Sequence, residues 1–463
     1  MGKKKSLGQI YTPIPIIGKM LNLVQEGSTL IGKHIIDNSC GDGRFLINTL
    51  YQLASNLASL TDAEKKEYLE TYIHGIELDE EAYRKTLNNL DSFAKDILHI
   101  NENVNWDILN CDALSCHQFD GRMDIVIGNP PYVRVHNLEC DLSGCTFTEE
   151  GMSDLYLAFY ELGFRMLSEN GQLCYITPSS WYTSVAGGRM RDYIREQNNL
   201  DKIIDFGSEV IFEGVSTYVS ITHFKKNTEI NTICFEDIQN EKEYTLSLSE
   251  ATIDGNFYFS DKETLSLLKE VFKKKDGKKR YTVKNGYATL ADDLFINTPV
   301  SGNCTIKVLK SSTGKQYNCI YPYKEDATLL TEEEFKEKSP EEYEYLFSKQ
   351  EDLLKRKTEY PWYAFGRTQA LKDTYREKYA VSNLINSTSG PRMTFVEKGT
   401  GVYSGLYVIS NGDITNLPQI LDTDAFRNYV ISLRKYKSGG YYTFSSKDLE
   451  NYLNTSKNIE KFS

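Results

Sequence analysis

The segment Met123-Asp-Ile-Val-Ile-Gly-Asn-Pro-Pro-Tyr132 joins a short apolar run to an abrupt stop. The run that ends at Gly128 is typical of a buried strand in a parallel sheet. The two prolines that follow fix the backbone and remove two N–H donors, so the strand has to end there. The segment therefore predicts a sheet strand that delivers an asparagine and a tyrosine to its carboxyl end.

Further apolar runs on both sides of this segment alternate with helical patterns, which indicates a parallel sheet covered by helices. Helices are predicted from Arg44 to about Leu60, from Asp79 onward and over Leu155–Leu167. About seven strands are expected in all, within the usual range for large α/β sheets. The other six are His34–Asn38, Tyr72–Glu77, Val104–Leu109, Leu173–Thr177, Lys202–Phe206 and Thr217–Phe224.

The pattern changes after about Lys225, where charged, Tyr-rich and Gly-punctuated segments replace the α/β alternation. A chain of 463 residues is too long for one ordinary core, so two domains are expected. We place them at residues 1–235 and 236–463, the first with the α/β sheet and the second of α+β type. A polar helical stretch over Thr331–Lys357 is predicted inside the second domain.

The composition is that of a globular protein without a membrane segment. No run of eighteen apolar residues is present, and no apolar segment follows the basic N-terminus, so neither a membrane helix nor a secretory signal is predicted. The nine cysteines are scattered, which favours a reducing cytoplasm over a disulfide framework. The net charge of −12 argues against a nucleic-acid partner unless basic residues cluster locally.

Two stretches are locally basic. Lys273–Arg280 has six basic residues and one acid, and Arg427–Lys447 has five basic residues, no acid and several tyrosines. A solvated linker or surface face is the alternative interpretation of each. In the second stretch, the residues predicted to bind DNA are Arg427, Arg434, Lys435, Lys437 and Tyr441.

Acidic residues and glycines follow three predicted strands. The loop Asp37-Asn-Ser-Cys-Gly-Asp-Gly43 allows a sharp turn close to a ligand, but it lacks the Gly-x-Gly-x-x-Gly spacing of dinucleotide sites. Glu77 is placed to accept ribose hydroxyls, and Asp112 to accept a hydrogen bond from an adenine amino group. A tight turn, a solvated strand end and a helix N-cap are the respective structural alternatives. Together, in this order, the three features favour an adenosyl cofactor.

The turn Asn129–Tyr132 suits chemistry on an aromatic amine, whose lone pair is delocalised into the ring. If the Asn129 side-chain oxygen and the Pro130 carbonyl each accept one amine hydrogen, the nitrogen can pyramidalise toward an electrophilic methyl group. Tyr132 offers a flat face on which an extruded base can stack. An ordinary strand-ending turn is the alternative.

In this combination, the chain resembles the gamma-class, TaqI-like adenine-specific DNA methyltransferases of restriction-modification and related systems. The resemblance implies a seven-stranded Rossmann-like methyltransferase sheet, S-adenosyl-L-methionine as cofactor, and methyl transfer to N6 of an adenine flipped out of double-stranded DNA. It also implies a C-terminal DNA-recognition domain. The similarity runs motif by motif from residue 8 to about 225. It is weaker in Lys284–Phe295 and Gly439–Phe444, which resemble segments near the start and end of the recognition domain.

The resemblance assigns residue roles as well. Gly8–Pro13 resembles the N-terminal cofactor segment, and the Asp37–Gly43 loop resembles the methionine-binding loop, although Asn38 and Asp42 depart from its common form. The predicted cofactor-binding residues are Thr12, Asp37, Ser39, Gly41, Glu77, Leu78, Asp112, Ala113, Asn129, Pro131 and Phe159. The predicted catalytic residues are Asn129, Pro130, Pro131 and Tyr132, with Tyr132 and Phe212 stacking on the target base. For Phe159 and Phe212, an ordinary place in the core is the alternative.

Other acceptors share this geometry. Cytosine N4 in DNA, glutamine in a protein and amines in RNA remain alternatives, as does a DNA-binding module without activity. Asparagine rather than serine at position 129 favours adenine by resemblance, and glutamine methyltransferases are generally shorter than this chain.

No metal is predicted, although the pairs Cys111/Cys116 and Cys140/Cys145 have a spacing that zinc can use, because the catalytic turn lies between them. The loop Leu138–Glu149 is predicted to close over the target base. We expect a monomer without membrane association. A separate cognate restriction endonuclease as a further partner and action without one are the two alternatives.

Overall fold

The computed structural model describes residues 10–27, 29–137, 142, 144–212, 214, 217–273 and 279–455. The chain divides into two compact units, Met1–Leu265 and Ser266–Ser463. This division lies later than the predicted boundary between residues 235 and 236, because a strand over Ile233–Asp237 belongs to the sheet of the first unit. Among the described residues, no helix has both the length and the apolar character needed to cross a bilayer.

The first unit contains one large sheet and one small hairpin. Its described strands are β1 (Ile35–Asp37), β2 (Ile73–Glu77), β3 (Asp107–Asn110), β4 (Met123–Gly128), β5 (Leu167–Pro178), β6 (Leu200–Asp205), β7 (Val219–Lys225), β8 (Ile233–Asp237), β9 (Lys242–Leu246), β10 (Thr252–Ile253) and β11 (Asn256–Phe257). The large sheet has the order β3-β2-β1-β4-β5-β7-β6-β8-β9, and β10 pairs with β11. Strands β1 to β5 pair in parallel, while β7 runs antiparallel between β5 and β6.

This sheet confirms the large α/β architecture, but its nine described strands exceed the predicted seven. The two additional strands, β8 and β9, form an antiparallel hairpin at one edge. In β9 only Leu246 is buried, so charged side chains face solvent, as is usual at a sheet edge. The prediction ended the sheet where the α/β alternation ends and therefore missed this pair.

Two helices of the first unit begin at the carboxyl ends of central strands. The described helices are α1 (Ile14–Gln25), α2 (Arg44–Leu57), α3 (Asp62–Tyr72), α4 (Glu80–Asp96), α5 (Leu155–Met166), α6 (Gly188–Gln197) and α7 (Leu248–Ala251), while α8 (Lys262–Phe272) crosses the division between the units. Helix α2 follows Gly43, whose φ of 80° lies in the left-handed region that glycine adopts readily. Helix α4 is capped by the Asp79 side chain, which accepts the Ala82 N–H. The loops before α2 and α4 therefore lie at the same edge of the sheet.

The second unit combines short helices with small sheets. Its described strands are β12 (Tyr281–Asn285), β13 (Thr305–Lys310), β14 (Lys315–Ile320), β15 (Lys378–Val381), β16 (Leu384–Ile385), β17 (Met393–Val396), β18 (Thr400–Tyr403), β19 (Leu406–Ser410), β20 (Tyr436–Lys437) and β21 (Tyr441–Thr443). They form sheets in the orders β12-β19-β15-β17, β14-β13-β18 and β16-β21-β20. The described helices are α9 (Asp292–Phe295), α10 (Glu332–Lys338), α11 (Pro340–Phe347), α12 (Gln350–Leu354), α13 (Leu417–Leu421), α14 (Asp424–Ser432) and α15 (Ser446–Leu453). The predicted helical stretch Thr331–Lys357 is thus divided into three helices, the second of which starts at Pro340, a favoured first helical residue.

Candidate active site

One pocket lies at the carboxyl ends of β1, β2 and β4. The strand order reverses at β1, because β2 lies on one side of it and β4 on the other. Ligands bind at this switch point in open α/β sheets. All eleven residues predicted to bind a cofactor line the pocket. Its lining also includes residues outside the predicted cofactor-binding set, among them Ile10, Tyr11, Cys40, Arg44, Cys111, Val133 and Leu155.

Asp37, at the end of β1, is a buried carboxyl group. The residue is only 1% exposed, and its Oδ1 accepts a hydrogen bond from the Ser39 N–H at 3.1 Å. A Cβ atom on Gly128 would lie 2.7 Å from this oxygen, so glycine at the end of β4 leaves room for the carboxyl group. Burial raises the pKa of Asp37 to about 8, and the nearby Glu77 and Asp42 carboxylates act in the same direction. A cationic ligand group would favour the charged form.

Replacement of this carboxyl group by an amide is expected to stabilise the unliganded protein at high pH. Because the pKa of Asp37 is about 8 in the folded state and 3.8 without perturbation, the folded state holds an additional proton between these values. The free energy of unfolding therefore falls as pH rises through this window. We expect Asp37→Asn to raise the Tm more at pH 8 than at pH 5.5, measured by thermal unfolding. An equal change at both pH values would contradict the assignment.

Glu77 and Asp112 form the acidic side of the pocket. The Glu77 carboxylate accepts the Gly41 N–H at 2.7 Å and the Asp79 N–H at 2.8 Å, and burial raises its pKa. Asp112 accepts the Leu114 N–H at 3.0 Å, so it caps a short 3₁₀ helix, as its structural alternative predicts, and lines the pocket as well. Two apolar residues, Leu78 and Ala113, lie beside these carboxylates in the lining.

The two loop positions that depart from the family pattern have defined partners. Asn38 is buried and exchanges two hydrogen bonds with the Tyr175 hydroxyl, at 2.7 and 2.9 Å. Asp42 forms ion pairs with Arg44 at 3.0 Å and with Lys85 at 3.4 Å. These contacts fix the Asp37–Gly43 loop without the more common residues.

The segment Ile10–Thr12, which we call the strap, lines part of the pocket. The Tyr11 ring lies 4.6 Å from the Arg44 guanidinium carbon and 5.5 Å from Lys85 Nζ, distances typical of cation–π contacts. Thr12 Oγ1 is buried and has no hydrogen-bond partner among the described residues. The preceding part of the predicted motif, residues 8 and 9, lies outside the described residues. Of the strap, the sequence singled out only Thr12.

The turn Asn129–Tyr132, which is predicted to be catalytic and is called the catalytic turn below, follows β4 and contacts the strap. Asn129 Nδ2 donates to the Ile10 carbonyl at 3.0 Å, and Ser39 Oγ donates to the Asn129 carbonyl at 3.5 Å. Because a carbonyl can only accept, the first contact fixes which end of the Asn129 amide faces Ile10. The other end, Oδ1, is buried and has no partner within the described part of the chain. The turn therefore holds an oriented acceptor beside the pocket.

The aromatic residues near the catalytic turn differ in how far they are buried and in whether they line the pocket. Tyr132 is half-buried, its hydroxyl donates to the Ile176 carbonyl at 2.9 Å, and its ring meets those of Tyr156 and Phe212 edge to face. Phe212 is 2% exposed and belongs to the main core, so it packs against Tyr132 without an open face of its own. Its role in base stacking stays a prediction. Phe159 is also buried and, unlike Phe212, lines the pocket.

The described end of the loop that was predicted to close over a base is fastened to α5. The Glu161 carboxylate accepts hydrogen bonds from the Phe147 N–H at 2.9 Å and from Thr146 Oγ1 and Cys145 Sγ at 3.2 Å each. Residues 138–141 and 143 of the loop lie outside the described residues, as does Cys140 of the second cysteine pair. Within the described ranges, no group of three or more His, Cys, Asp or Glu side chains could hold a metal ion.

In the second unit, the predicted DNA-binding residues differ in their surroundings. Arg427 forms ion pairs with Asp422 at 3.2 Å and Asp424 at 2.5 Å, and Lys435 pairs with Asp448 at 2.6 Å. The half-buried Arg434 donates to the Tyr436 hydroxyl at 3.3 Å, whereas Lys437 and Tyr441 are exposed and lie opposite each other in a β20–β21 pair. The basic stretch Lys273–Arg280 lies mostly outside the described residues.

Residues 37–212 match the model of the Eco57I restriction-modification methylase family. The predicted resemblance to restriction-modification methyltransferases is confirmed. The type II restriction enzyme and methyltransferase RM.Eco57I of Escherichia coli is 24% identical over 371 residues, which cover 65% of this chain and 37% of that protein. The type II methyltransferase M.BstVI of Geobacillus stearothermophilus is 28% identical over 230 residues, 46% of this chain and 41% of that protein. The chain thus spans less than half the length of either relative.

A solved structure has a similar fold. The type IIL restriction-modification enzyme MmeI, determined in complex with DNA, aligns with 96% of this chain and 63% of its own chain. The TM-score is 0.59 and the sequence identity is 15%. At this identity the similarity shows the fold alone.

Proposed function

We propose that this chain is a site-specific DNA methyltransferase that transfers the methyl group of S-adenosylmethionine to the N6 amine of an adenine flipped out of duplex DNA. The observation that carries the proposal is the unpartnered Oδ1 of Asn129, oriented by the strap and adjacent to a pocket lined by four carboxyl groups. The match of residues 37–212 to a restriction-modification methylase family supports DNA as the substrate.

The residues of the pocket fit this cofactor. The unpartnered Thr12 Oγ1 and the buried Asp37 carboxyl group suit the zwitterionic amino-acid end, whose ammonium group can pair with a carboxylate. The Glu77 carboxylate is held by two backbone N–H groups and keeps acceptor capacity for both ribose hydroxyls. The adenine ring would lie among Leu78, Asp112, Ala113 and Phe159. When bound, the cofactor supplies an electrophilic methyl group on a sulfonium.

The chain's own contribution to the reaction is to orient the amine. Asn129 Oδ1 would accept one hydrogen of the target amine and the Pro130 carbonyl the other, which directs the nitrogen lone pair away from the ring. The strap holds the Asn129 amide in this orientation before substrate arrives, so little reorganisation is needed. Pro130 and Pro131 fix the backbone of the turn and add no competing donor.

The target base must leave the duplex to reach this turn. The Tyr132 ring would stack on it, and the hydrogen bond from the Tyr132 hydroxyl to Ile176 keeps that ring in place. The resemblance of the Asn129–Tyr132 motif to adenine-specific enzymes favours adenine over cytosine. Phe212 would support Tyr132 from its buried side and contact the base only after a local shift.

The second unit is proposed to recognise the DNA sequence. Lys437 and Tyr441 are the strongest candidates of the predicted set, because both are exposed and neither belongs to the ion pairs that neutralise Arg427 and Lys435. We further propose that the protein acts as a monomer alongside a separate cognate endonuclease.

The proposal is tested by incubating the protein with tritiated cofactor and duplex DNA, RNA or protein, then digesting each acceptor and identifying the labelled product. N6-methyladenine from duplex DNA is expected. If the labelled product is N4-methylcytosine, methylglutamine or a methylated RNA nucleoside, the acceptor differs from the one proposed. If no acceptor is labelled, the enzymatic function is refuted. Sequencing the methylated positions in DNA from expressing cells would give the target sequence.

A further inference from the structure

Two loops near the catalytic turn present large apolar side chains to solvent. Met152 and Val185 are each 72% exposed. Isolated apolar residues are common on protein surfaces, but the loops that carry these two are in contact. A Cβ atom on Gly151 would lie 3.4 Å from Val185 Cγ1 and 3.1 Å from the Ala186 nitrogen, and Gly151 has a φ of 63°. Glycine at this position permits the approach, and we call the two side chains the Met152–Val185 patch.

The Met152 side of the patch is tied to the catalytic turn by main-chain hydrogen bonds. The segment after the turn forms a short antiparallel ladder with residues 153–155, in which the Leu155 N–H donates to the Val133 carbonyl at 2.8 Å. The Arg134 side chain also donates to the Met152 carbonyl, at 2.7 Å. Met152 lies about four residues along this ladder from the turn, roughly 13 Å at the usual rise of a strand. The position of the patch is therefore fixed relative to the catalytic turn.

The Val185 side is held by a buried arginine. Arg191 is 5% exposed, and its Nη1 donates to the Trp181 carbonyl at 2.7 Å and to the Ser184 carbonyl at 2.8 Å. Its Nε donates to the Gly255 carbonyl at 2.8 Å. Burying a guanidinium group without such partners would be costly, so these bonds are needed to keep it inside. They also hold the loop, so Val185 is exposed on a rigid support and not on a mobile tip.

The two arginines beside the patch are paired with three carboxylates, so positive charge is not in excess there. Arg189 lies 3.2 Å from Glu150 and 3.5 Å from Glu149, and Arg134 lies 3.1 Å from Asp154. DNA phosphates bind where positive charge is in excess, so these surroundings do not favour a phosphate. They suit an uncharged apolar surface, such as the faces of stacked bases.

We propose that the Met152–Val185 patch packs against the base stack of DNA at the step that opens when the target adenine leaves the duplex. This inference rests on the proposed function. An extruded nucleotide stays joined to its strand, so the duplex has to lie close to the catalytic turn, and Met152 lies only about four residues along the ladder from that turn, roughly 13 Å. Apolar side chains placed at an opened step replace part of the stacking that is lost, which lowers the free energy of the flipped state.

The test uses the full-length double variant Met152→Ser/Val185→Ser and two duplexes with the target sequence found by methylation sequencing. In one duplex the target adenine is paired, and in the other it lies opposite an abasic site and is already unpaired. We expect the variant to lose at least tenfold in kcat/KM on the paired duplex and less than threefold on the unpaired one, with an unchanged Kd for the cofactor. Ile97→Ser serves as the matched control, because Ile97 is an exposed apolar residue at the far end of α4; it should not change either value.

The outcomes separate the two proposals. Equal losses on both duplexes, or no loss on either, would overturn the role of the patch while the proposed function stands. A wild-type protein that methylates no adenine in either duplex would refute the proposed function first, and the patch proposal with it. A fluorescence readout adds a measurement independent of transfer. With 2-aminopurine at the target position, the emission increase on binding should be reduced in the double variant.

Discussion

Asn129→Ala is expected to lower the rate of methyl transfer at least ~100-fold, the scale measured when one preorganised hydrogen-bonding group at a reacting centre is removed. The substitution removes the acceptor Oδ1, which is buried and without a partner in the described chain. Alanine leaves no polar atom unsatisfied there except the Ile10 carbonyl, which loses the hydrogen bond from Nδ2. The fold should therefore persist, and the Kd for the cofactor should rise by less than tenfold.

Single-turnover kinetics with saturating cofactor measure this effect on the chemical step, and calorimetry measures cofactor binding. Asn88→Ala is the matched control, since Asn88 is an exposed asparagine on α4; its rate should equal that of the wild type. Asn129→Asp should be as slow as the alanine variant, because the carboxylate cannot donate to the Ile10 carbonyl and its negative charge would face that oxygen. A fast alanine variant, or one that folds but binds no cofactor, would contradict the assigned role.

The positions of Asp37, Glu77 and Asn129 were predictable because each follows an apolar strand pattern directly. In a parallel sheet, strands that are distant in sequence bring their carboxyl ends to one edge. The order of strands along the chain and the residue that ends each strand are local information. The structure places these side chains in one pocket, together with the other predicted cofactor residues.

The contacts that orient these side chains were not predictable in the same way. Asn129 and Ile10 are far apart in sequence, and nothing in either segment indicates that an amide will meet that carbonyl. The pairing of Asn38 with Tyr175 joins a loop to a strand across the core. In both cases the partner is set by tertiary packing. The sequence feature that marks Asn38 is its departure from the family pattern.

Local charge was misleading for the same reason. The stretch Arg427–Lys447 contains no acid, yet Arg427 pairs with Asp422 and Asp424, and Lys435 with Asp448, all just outside the stretch. A count of charges within one stretch leaves out the acidic residues on either side of it, which a helix turn or a loop places next to its basic residues. The pairing leaves less of the predicted basic surface for phosphates.

Glu77→Ala is expected to raise the Kd for the cofactor at least ~100-fold, because hydrogen bonds to a charged group contribute about 1.5–3 kcal/mol each and two ribose hydroxyls would lose their acceptor. The substitution also removes the acceptor for the Gly41 and Asp79 N–H groups, at 2.7 and 2.8 Å. A weaker Kd alone could therefore arise from a displaced loop. Glu80→Gln controls for the loss of a nearby charge and should leave the Kd unchanged. Glu80 is an exposed carboxylate on α4 that pairs with Arg84 of the same helix.

A cofactor analogue that lacks both ribose hydroxyls separates the two causes. If Glu77 binds the hydroxyls, the wild-type protein should bind the analogue as weakly as Glu77→Ala binds the cofactor. The variant should bind the cofactor and the analogue equally well. The comparison has the form of a double-mutant cycle. If the variant instead still prefers the hydroxylated compound by the wild-type ratio, the carboxylate acts only by holding the loop after β1. Calorimetric titration of both proteins with both compounds gives the four constants, and because binding is measured without DNA, the result is independent of which base, or which class of acceptor, the enzyme methylates.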